Sequence, residues 1–306
     1  MRALRFLHLF ILIGSVFLFS LPSALAQNNA LVFLTDFGVK DGAVTSMKGV
    51  AYSVNSSLPM FDLTHEIPPF NIWEAAYRLY QTAAYWPAGT VFVAVVDPGV
   101  GIGRPSVVLK TKSGHFFVGP DNGTFTLVAE QLGIEEVREI DVVLNRLKGS
   151  ELSHTFHGRD VFAYVGARLA AGVIGLSDVG LKSHDAVFSI PYQKAVINSG
   201  KIYGTIPILD IQYGNVWTNI SSDLFQRMGV EKGDWLCIHI YQDDVEKYSG
   251  EMPYVNSFVD VPIGRPLAYL NSMLNVSVAL NQDSFAGKYH IKAGANWKID
   301  LAKCKK

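Results

Sequence analysis

Three stretches of β-forming residues in this 306-residue chain stop at an aspartate: residues 31–35 before Asp36, 91–96 before Asp97 and 201–209 before Asp210. In open α/β sheets, ligands bind beyond the carboxyl ends of the strands, where such a side chain would stand. The second stretch carries the most information. Val91-Phe-Val-Ala-Val-Val has no polar interruption, as a strand covered on both faces would have, and it opens into Asp97-Pro-Gly-Val-Gly-Ile-Gly-Arg104. Pro98 ends the ladder, the glycines allow a ligand close to the backbone, and Arg104 can fold back to Asp97. The loop thus offers one anion and one permanent cation. His65 and His157 add groups able to accept or carry a proton near neutral pH. Two chemistries fit these residue types: a metal-assisted hydrolase on Asp36, Asp97, His65 and His157, or a pocket for a cationic or hydroxyl-rich ligand. The His-Glu-x-x-His zinc pattern is absent.

Alternating strands and helices must position these groups. The strand at 31–35 leads through Asp36-Phe-Gly-Val-Lys-Asp41 into a helical spacing of Val44, Met47, Val50, Ala51 and Val54, a β-loop-α unit. A short strand at 60–63 reaches His65-Glu-Ile-Pro-Pro-Phe70, where two prolines end regular structure before a helix over 71–85. Strands at 106–112 and 115–118 flank Ser113-Gly114. Asp121-Asn-Gly123 is a turn, followed by helices over about 124–132 and from 155 to about 171. This alternation predicts a three-layer α/β domain. Beyond Pro191 the texture changes to short strands, at 201–209, 216–220, 235–241, 267–270, 276–280 and 297–301, which predicts a smaller, mostly β, barrel-like domain. The division is a signal peptide over 1–26, an α/β domain over 27–192 and the β domain over 193–306.

The leader is read from Arg2 and Arg5 before an apolar run and Ala24-Leu-Ala26, the charged start, apolar centre and small-residue cleavage site of an exported protein. No later run is long and apolar enough to span a bilayer, so no membrane span is expected after cleavage. Cleavage removes two of the 26 basic residues and none of the 27 acidic ones, leaving a net charge of −3, which gives no electrostatic footprint for nucleic acid. Export implies a periplasmic or secreted location. Cys237 and Cys304 form neither a disulfide framework nor a zinc signature, and a single bridge between them is one outcome in an oxidising compartment.

Six segments together resemble one family. Thr35-Asp36-Phe-Gly with Asp41, Asp62-Leu-Thr-His65-Glu-Ile-Pro-Pro, Asp97-Pro-Gly-Val-Gly with Arg104, Gly119-Pro-Asp-Asn-Gly123, Phe156-His157-Gly-Arg-Asp160 and Asp210-x-x-Tyr-Gly-Asn215-Val-Trp-Thr-Asn219 are similar, in order and spacing, to the adenosine-forming S-adenosyl-L-methionine hydrolases. These are also called SAM hydroxide adenosyltransferases, relatives of fluorinase and chlorinase. The resemblance implies hydrolysis of S-adenosylmethionine to adenosine and methionine by water attack at the ribose 5′ carbon. No metal or other cofactor is implied. It places a catalytic set on Asp97, Arg104 and His157, the ribose hydroxyls on Asp36, the methionine amine on Asp210 and an adenine contact on Asn215. Phe70 and Tyr213 fall where aromatic rings meet the nucleoside, and Asp41 and Ser277 at the methionine end. It also implies a homotrimer with sites between the α/β domain of one subunit and the β domain of the next. His157-Gly158 stands where halogenating relatives place small hydroxyls, which speaks against halide chemistry, and Leu280 replaces an arginine of the fluorinating relatives. The rival functions are a non-catalytic nucleoside-binding protein and a metal-dependent hydrolase on the same carboxylates.

Overall fold

The computed structural model describes residues 30–100, 103–183 and 186–304; the leader assigned to 1–26 lies outside the described residues. The first sheet has six strands: β1 (Leu31–Thr35), β2 (Met60–Thr64), β3 (Val91–Val95), β4 (Ser106–Thr111), β5 (Phe116–Pro120) and β6 (Ile134–Glu139), in the order β2-β1-β3-β5-β4-β6. The first four in that order run parallel, and the β4–β5 hairpin turns the rest antiparallel. Period-two alternation with both phases apolar explains why the sheet is buried on two sides. Leu31, Phe33, Val91, Val93 and Val95 face one core; Val32, Leu34, Phe92, Ala94 and Val96 face the other.

Helices cover each face. The first core is closed by α1 (Ala43–Val54) through Met47 and Ala51, and by α4 (Tyr164–Ala170) with the π-helical turn Gly158–Ala163 that precedes it. The second is closed by α2 (Ile72–Thr82) and α3 (Thr126–Leu132), through Ala75, Leu79 and Val128. The start of α2 follows from its sequence. Pro68 and Pro69 stop the preceding structure, and the Asn71 side chain accepts from Glu74 N at 3.0 Å as an N-cap. The three-layer α/β expectation holds. Strand β6, read from sequence as irregular, is an edge strand whose four charged residues hide its alternation; charge on an edge blocks pairing with other chains.

The C-terminal part comprises β7 (Val196–Asn198), β8 (Lys201–Ile206), β9 (Ile208–Asp210), β10 (Asn215–Ser221), β11 (Trp235–Gln242), β12 (Val245–Pro253), β13 (Pro266–Leu270), β14 (Asn275–Leu280) and β15 (Gly294–Lys303), with short helices α5 (Ser222–Gln226) and α6 (Phe285–Tyr289). They form two antiparallel sheets, β13-β14-β10-β9 and β12-β11-β15-β8-β7, and no closed barrel ladder is formed among the described residues. The single strand read over 201–209 is cut by Pro207, which lacks an N–H, so β8 and β9 enter different sheets. Strand β12 was not anticipated, because only Tyr248 and Met252 of its nine residues are buried. Both sheets share a core containing Ile202, Val216, Leu236, Ile238, Val278 and Leu301. Cys237 on β11 and Cys304 just after β15 form a disulfide across neighbouring strands, with their Cα atoms 5.2 Å apart.

The two parts are packed together. Ala76, Tyr77 and Leu127 meet Ile208 and Trp217 in one cluster, and Trp73 Nε1 donates to the Pro207 carbonyl at 3.0 Å. No helix among the described residues is long and apolar enough to cross a membrane.

Candidate active site

The carboxyl ends of β1 and β3 lie side by side because the strands pair in register from Leu31 with Val91 to Thr35 with Val95. Asp36 and Asp97 therefore emerge at one edge of the sheet. They line a cavity of about 480 Å³ together with Phe37, Phe70, Phe156 and His157. Arg104 returns to Asp97 as a two-pronged pair: its Nε donates to Asp97 Oδ1 at 2.7 Å and its NH2 to Oδ2. Its guanidinium also lies 5.7 Å from the centre of the Phe162 ring. The Asp97 side chain is only 3% exposed, so the arginine is what makes a charged carboxylate tolerable there. Burial draws the Arg104 pKa down to about 10, and the group stays charged at neutral pH. Arg104 is not itself on the cavity wall; it stands behind Asp97.

His157 begins the π-helical turn and presents a ring whose Nδ1 is buried without a hydrogen-bond partner. Burial, reinforced by the charges of Arg146, Arg104 and His154 and opposed by Asp160, lowers its pKa. The neutral imidazole is thus the resting form at neutral pH, with a ring nitrogen able to take part in a hydrogen bond. Asp160 is fully buried and paired with Arg159 at 2.7 Å and Arg146 at 3.7 Å, an anchor for the turn. Asp36 Oδ2 accepts from the Phe70 backbone N–H at 2.9 Å. Phe70 is held at φ +69°, a conformation uncommon for an aromatic residue, and its ring is exposed at the cavity.

Asp41 is exposed and does not line the cavity. Its Oδ1 accepts from Ala43 N at 2.9 Å, at the start of α1. Asp210, Asn215 and Ser277 are brought together elsewhere, on the four-stranded sheet. Asn215 faces Asp210 across β10 and β9 and donates to its Oδ2 at 3.0 Å. Ser277 sits opposite both Trp217 and Tyr269, and its Oγ accepts from Asn271 Nδ2 at 3.0 Å. Burial, with the Asp210 charge adding to it, pushes the Tyr269 hydroxyl up to about 12. Tyr213 is exposed in the turn between β9 and β10. None of these residues lines the cavity of Asp36 and Asp97, so one chain displays two separate polar clusters.

Sequence reasoning gave no role to Phe37, Phe156, Trp217, Tyr269 or Asn271. Phe37 and Phe156 pack edge to face at 5.8 Å and form a wall of the cavity. Their adjacency to Asp36 and His157 in sequence was an available signal, whereas Tyr269 is joined to the Asp210 cluster by strand register and Asn271 by its hydrogen bond to Ser277.

A three-layer α/β domain with carboxylates at paired strand ends, followed by an antiparallel β domain carrying its own acid and amide cluster, defines a two-domain class of chain with a divided polar site. Residues 31–180 match the SAM hydroxide adenosyltransferase N-terminal domain and residues 204–298 match the SAM hydroxide adenosyltransferase C-terminal domain. The chain belongs to the SAM hydroxide adenosyltransferase family. It is 41% identical over 197 residues to the (R)-S-adenosyl-L-methionine hydrolase of Methanocaldococcus jannaschii, covering 63% of this chain and 67% of that protein. It is 30% identical over 297 residues to the fluorinase of Actinopolyspora mzabensis, covering 88% and 96%. An uncharacterized conserved protein from Thermotoga maritima superposes with a TM-score of 0.81 at 35% identity, covering 89% of this chain and 100% of that one.

Proposed function

We propose that this chain is an enzyme that hydrolyses S-adenosyl-L-methionine to adenosine and L-methionine, with water attacking the ribose 5′ carbon. The observation that carries the reading is Asp97, buried and backed by Arg104, lining one cavity with Asp36 and with a His157 whose Nδ1 is unpartnered. The leaving thioether departs neutral, so the reaction needs no acid to protonate it. It needs a water aligned opposite the sulfur and made more basic. Asp97, with both oxygens held by Arg104, keeps free lone pairs that accept from that water, and neutral His157 accepts the second hydrogen bond and takes that proton as the bond from oxygen to the 5′ carbon forms and the bond from that carbon to sulfur breaks. The cation behind Asp97 stabilises the hydroxide character that develops. In this reading Asp36 holds the ribose hydroxyls and Phe70 and Tyr213 flank the nucleoside. Asn215 meets the adenine, and Asp210, Ser277 and Asp41 serve the methionine end. The sulfonium is positive, which suits carboxylate-rich walls; a charge pair at ~4 Å is worth about 4 kcal/mol at a surface-like dielectric before desolvation.

The division of polar residues into two clusters supports a composite site, completed when the β domain of one subunit covers the cavity of another in a homotrimer. The working units are the α/β domain over 27–192 and the β domain over 193–306, whose two sheets act as one barrel-like body. The enzyme uses no cofactor and acts after export and removal of residues 1–26, at the cell exterior or in a periplasm. The test is to incubate the mature protein with S-adenosylmethionine and measure adenosine by chromatography, with and without chelator and with fluoride or chloride added. Adenosine formed despite chelator supports the reading. Activity lost to chelator points to a metal hydrolase, a 5′-halogenated nucleoside to halide transfer, and binding without product to a nucleoside-binding protein.

A further inference from the structure

His65 is buried, yet no role in the proposed reaction falls to it. It stands at the end of β2, where that strand pairs with β1, and so beside the strand end that delivers Asp36. Four polar groups connect through it. Lys48 Nζ lies 2.6 Å from Asp62 Oδ2, and Asp62 Oδ1 lies 3.0 Å from His65 Nε2. His65 Nδ1 is 2.8 Å from Thr35 Oγ1, and Thr35 Oγ1 accepts from the Phe37 backbone N–H at 3.2 Å. An ionised carboxylate only accepts, so Nε2 faces Asp62 as an ion-pair contact without the angle of a hydrogen bond, and the hydrogen bond that His65 makes through its ring is the one between Nδ1 and the Thr35 hydroxyl. That leaves a Thr35 lone pair for Phe37. Burial acts to raise the Asp62 pKa, but Lys48 and His65 outweigh it and hold the carboxyl below its usual value, which keeps the acceptor charged.

The chain of bonds ends on both halves of the cavity. Phe37 N follows Asp36 directly, and the His65 carbonyl accepts from Gly38 N at 2.7 Å, so the loop after β1 is tied to His65 directly at Gly38 and through the Thr35 hydroxyl at Phe37. The Asp36 carboxylate in turn holds Phe70 N–H. On the other side the Phe37 ring packs on Phe156 and against Gly158, the residues flanking His157. A Cβ at position 158 would come 3.3 Å from the Phe37 ring, so glycine there is what lets the ring lie against this turn. Thr35 and Phe37 are thus in contact with both the segment that carries Asp36 and the segment that carries His157.

We propose that His65 is a positioning residue for this site: through Thr35 and Phe37 it sets the orientation of Asp36 toward the nucleoside and of the Phe156–His157 segment toward the water. The proposal rests on the hydrolase reading for its kinetic arm, and a binding arm keeps the two separable. His65→Ala, His65→Gln and Thr35→Val are to be compared with the parent for kcat and KM with S-adenosylmethionine, for adenosine affinity by calorimetry, and for Tm. Gln can accept from Thr35 and donate to Asp62, and Val keeps the Thr35 shape while removing its hydroxyl. His65→Ala is expected to weaken adenosine binding about tenfold and to raise KM while lowering kcat, in keeping with the loss of one or two aligning hydrogen bonds. His65→Gln should recover most of both losses, and Thr35→Val should reproduce them, which keeps the test open if His65→Ala does not fold. The proposal is overturned if His65→Ala or Thr35→Val lowers Tm while kcat, KM and adenosine affinity stay at parental values. It is equally overturned if Gln restores Tm alone. Should the parent itself fail to turn over S-adenosylmethionine, the hydrolase reading falls, and the adenosine affinities alone decide the positioning role.

Discussion

Replacing Arg104 by Ala is expected to act through Asp97. The Asp97 side chain is 3% exposed and both of its oxygens are bound by the one guanidinium. Removing one partner of such a buried pair typically costs about 3–5 kcal/mol if the remaining charge persists. A carboxyl escapes that cost by taking up a proton, so the Asp97 pKa should rise in the variant. The expected phenotype has two parts. At neutral pH the rate of the chemical step falls about 10²–10³-fold, the usual consequence of losing one preorganised charge stabiliser. The lost rate then returns partly as pH increases, because a carboxyl with a raised pKa regains its charge only above that value. Lysine should restore part of the rate, since it supplies charge without the planar fork. Arg104→Ala combined with Asp97→Asn should be no worse than the poorer single variant, as expected of two groups acting as a unit. The assay is single-turnover release of adenosine across a pH series, with melting curves for each variant. Superimposable pH profiles of parent and Arg104→Ala, or a double variant that multiplies the two single deficits, would refute this coupling; Arg104 would then act on the water independently of Asp97.

Further outcomes follow from other contacts. Because His157 has a lowered pKa in the free protein, the acid limb of the kcat/KM profile should fall below the ordinary imidazole value of 6.5, and a limb above 6.5 would contradict a neutral acceptor. The same shift means that the unfolded chain binds the proton more readily, so this group's effect on stability is absent well above 6.5 and turns unfavourable as pH falls through and below it; urea melts at a series of pH values should find the effect missing in His157→Gln. The Cys237–Cys304 disulfide closes a separation of 67 residues, for which the chain-entropy estimate is about 4 kcal/mol at most, so Cys304→Ser or a thiol reductant should lower the denaturant midpoint. An unchanged midpoint would mean that the bridge constrains nothing the unfolded chain explores. Mixing Asp97→Ala and Asp210→Ala subunits should recover some activity if the site is composite between subunits, whereas a mixture as inactive as its parts would put both clusters to work within one chain.

Much of the α/β domain was legible in the sequence because its signals are local. Two-phase apolar strands at 31–35 and 91–96, helical spacings after Gly42 and Asn71, and paired prolines at 68 and 69 each specify an element through its own residues. Their common direction also brings Asp36 and Asp97 to one sheet edge. The edge strand β6 and the strand β12 escaped notice because charged or polar residues occupy most of their positions, and hydrogen bonding to a neighbour, not pattern, makes them strands. Pro207 was visible, but its effect of passing the chain from one sheet to the other depends on where β15 and β10 wait to receive it.

The site divides in the same way. Residue types at Asp36, Asp97, Arg104, His157 and Asp210 could be chosen from sequence, since carboxylates after strands and a cation after a glycine loop are local facts. Which of them meet was decided by tertiary structure alone. Arg104 is turned behind Asp97 and not toward the cavity, Asp41 is spent on a helix start, and Asp210, Asn215 and Ser277 gather on a different sheet. The Thr35–His65–Asp62 chain and the Cys237–Cys304 bridge likewise join residues separated by 30 and 67 positions through neighbouring strands. A sequence states the chemistry each side chain can perform; the distances that let charges pair and hydrogen bonds form exist only once the strands have registered and packed.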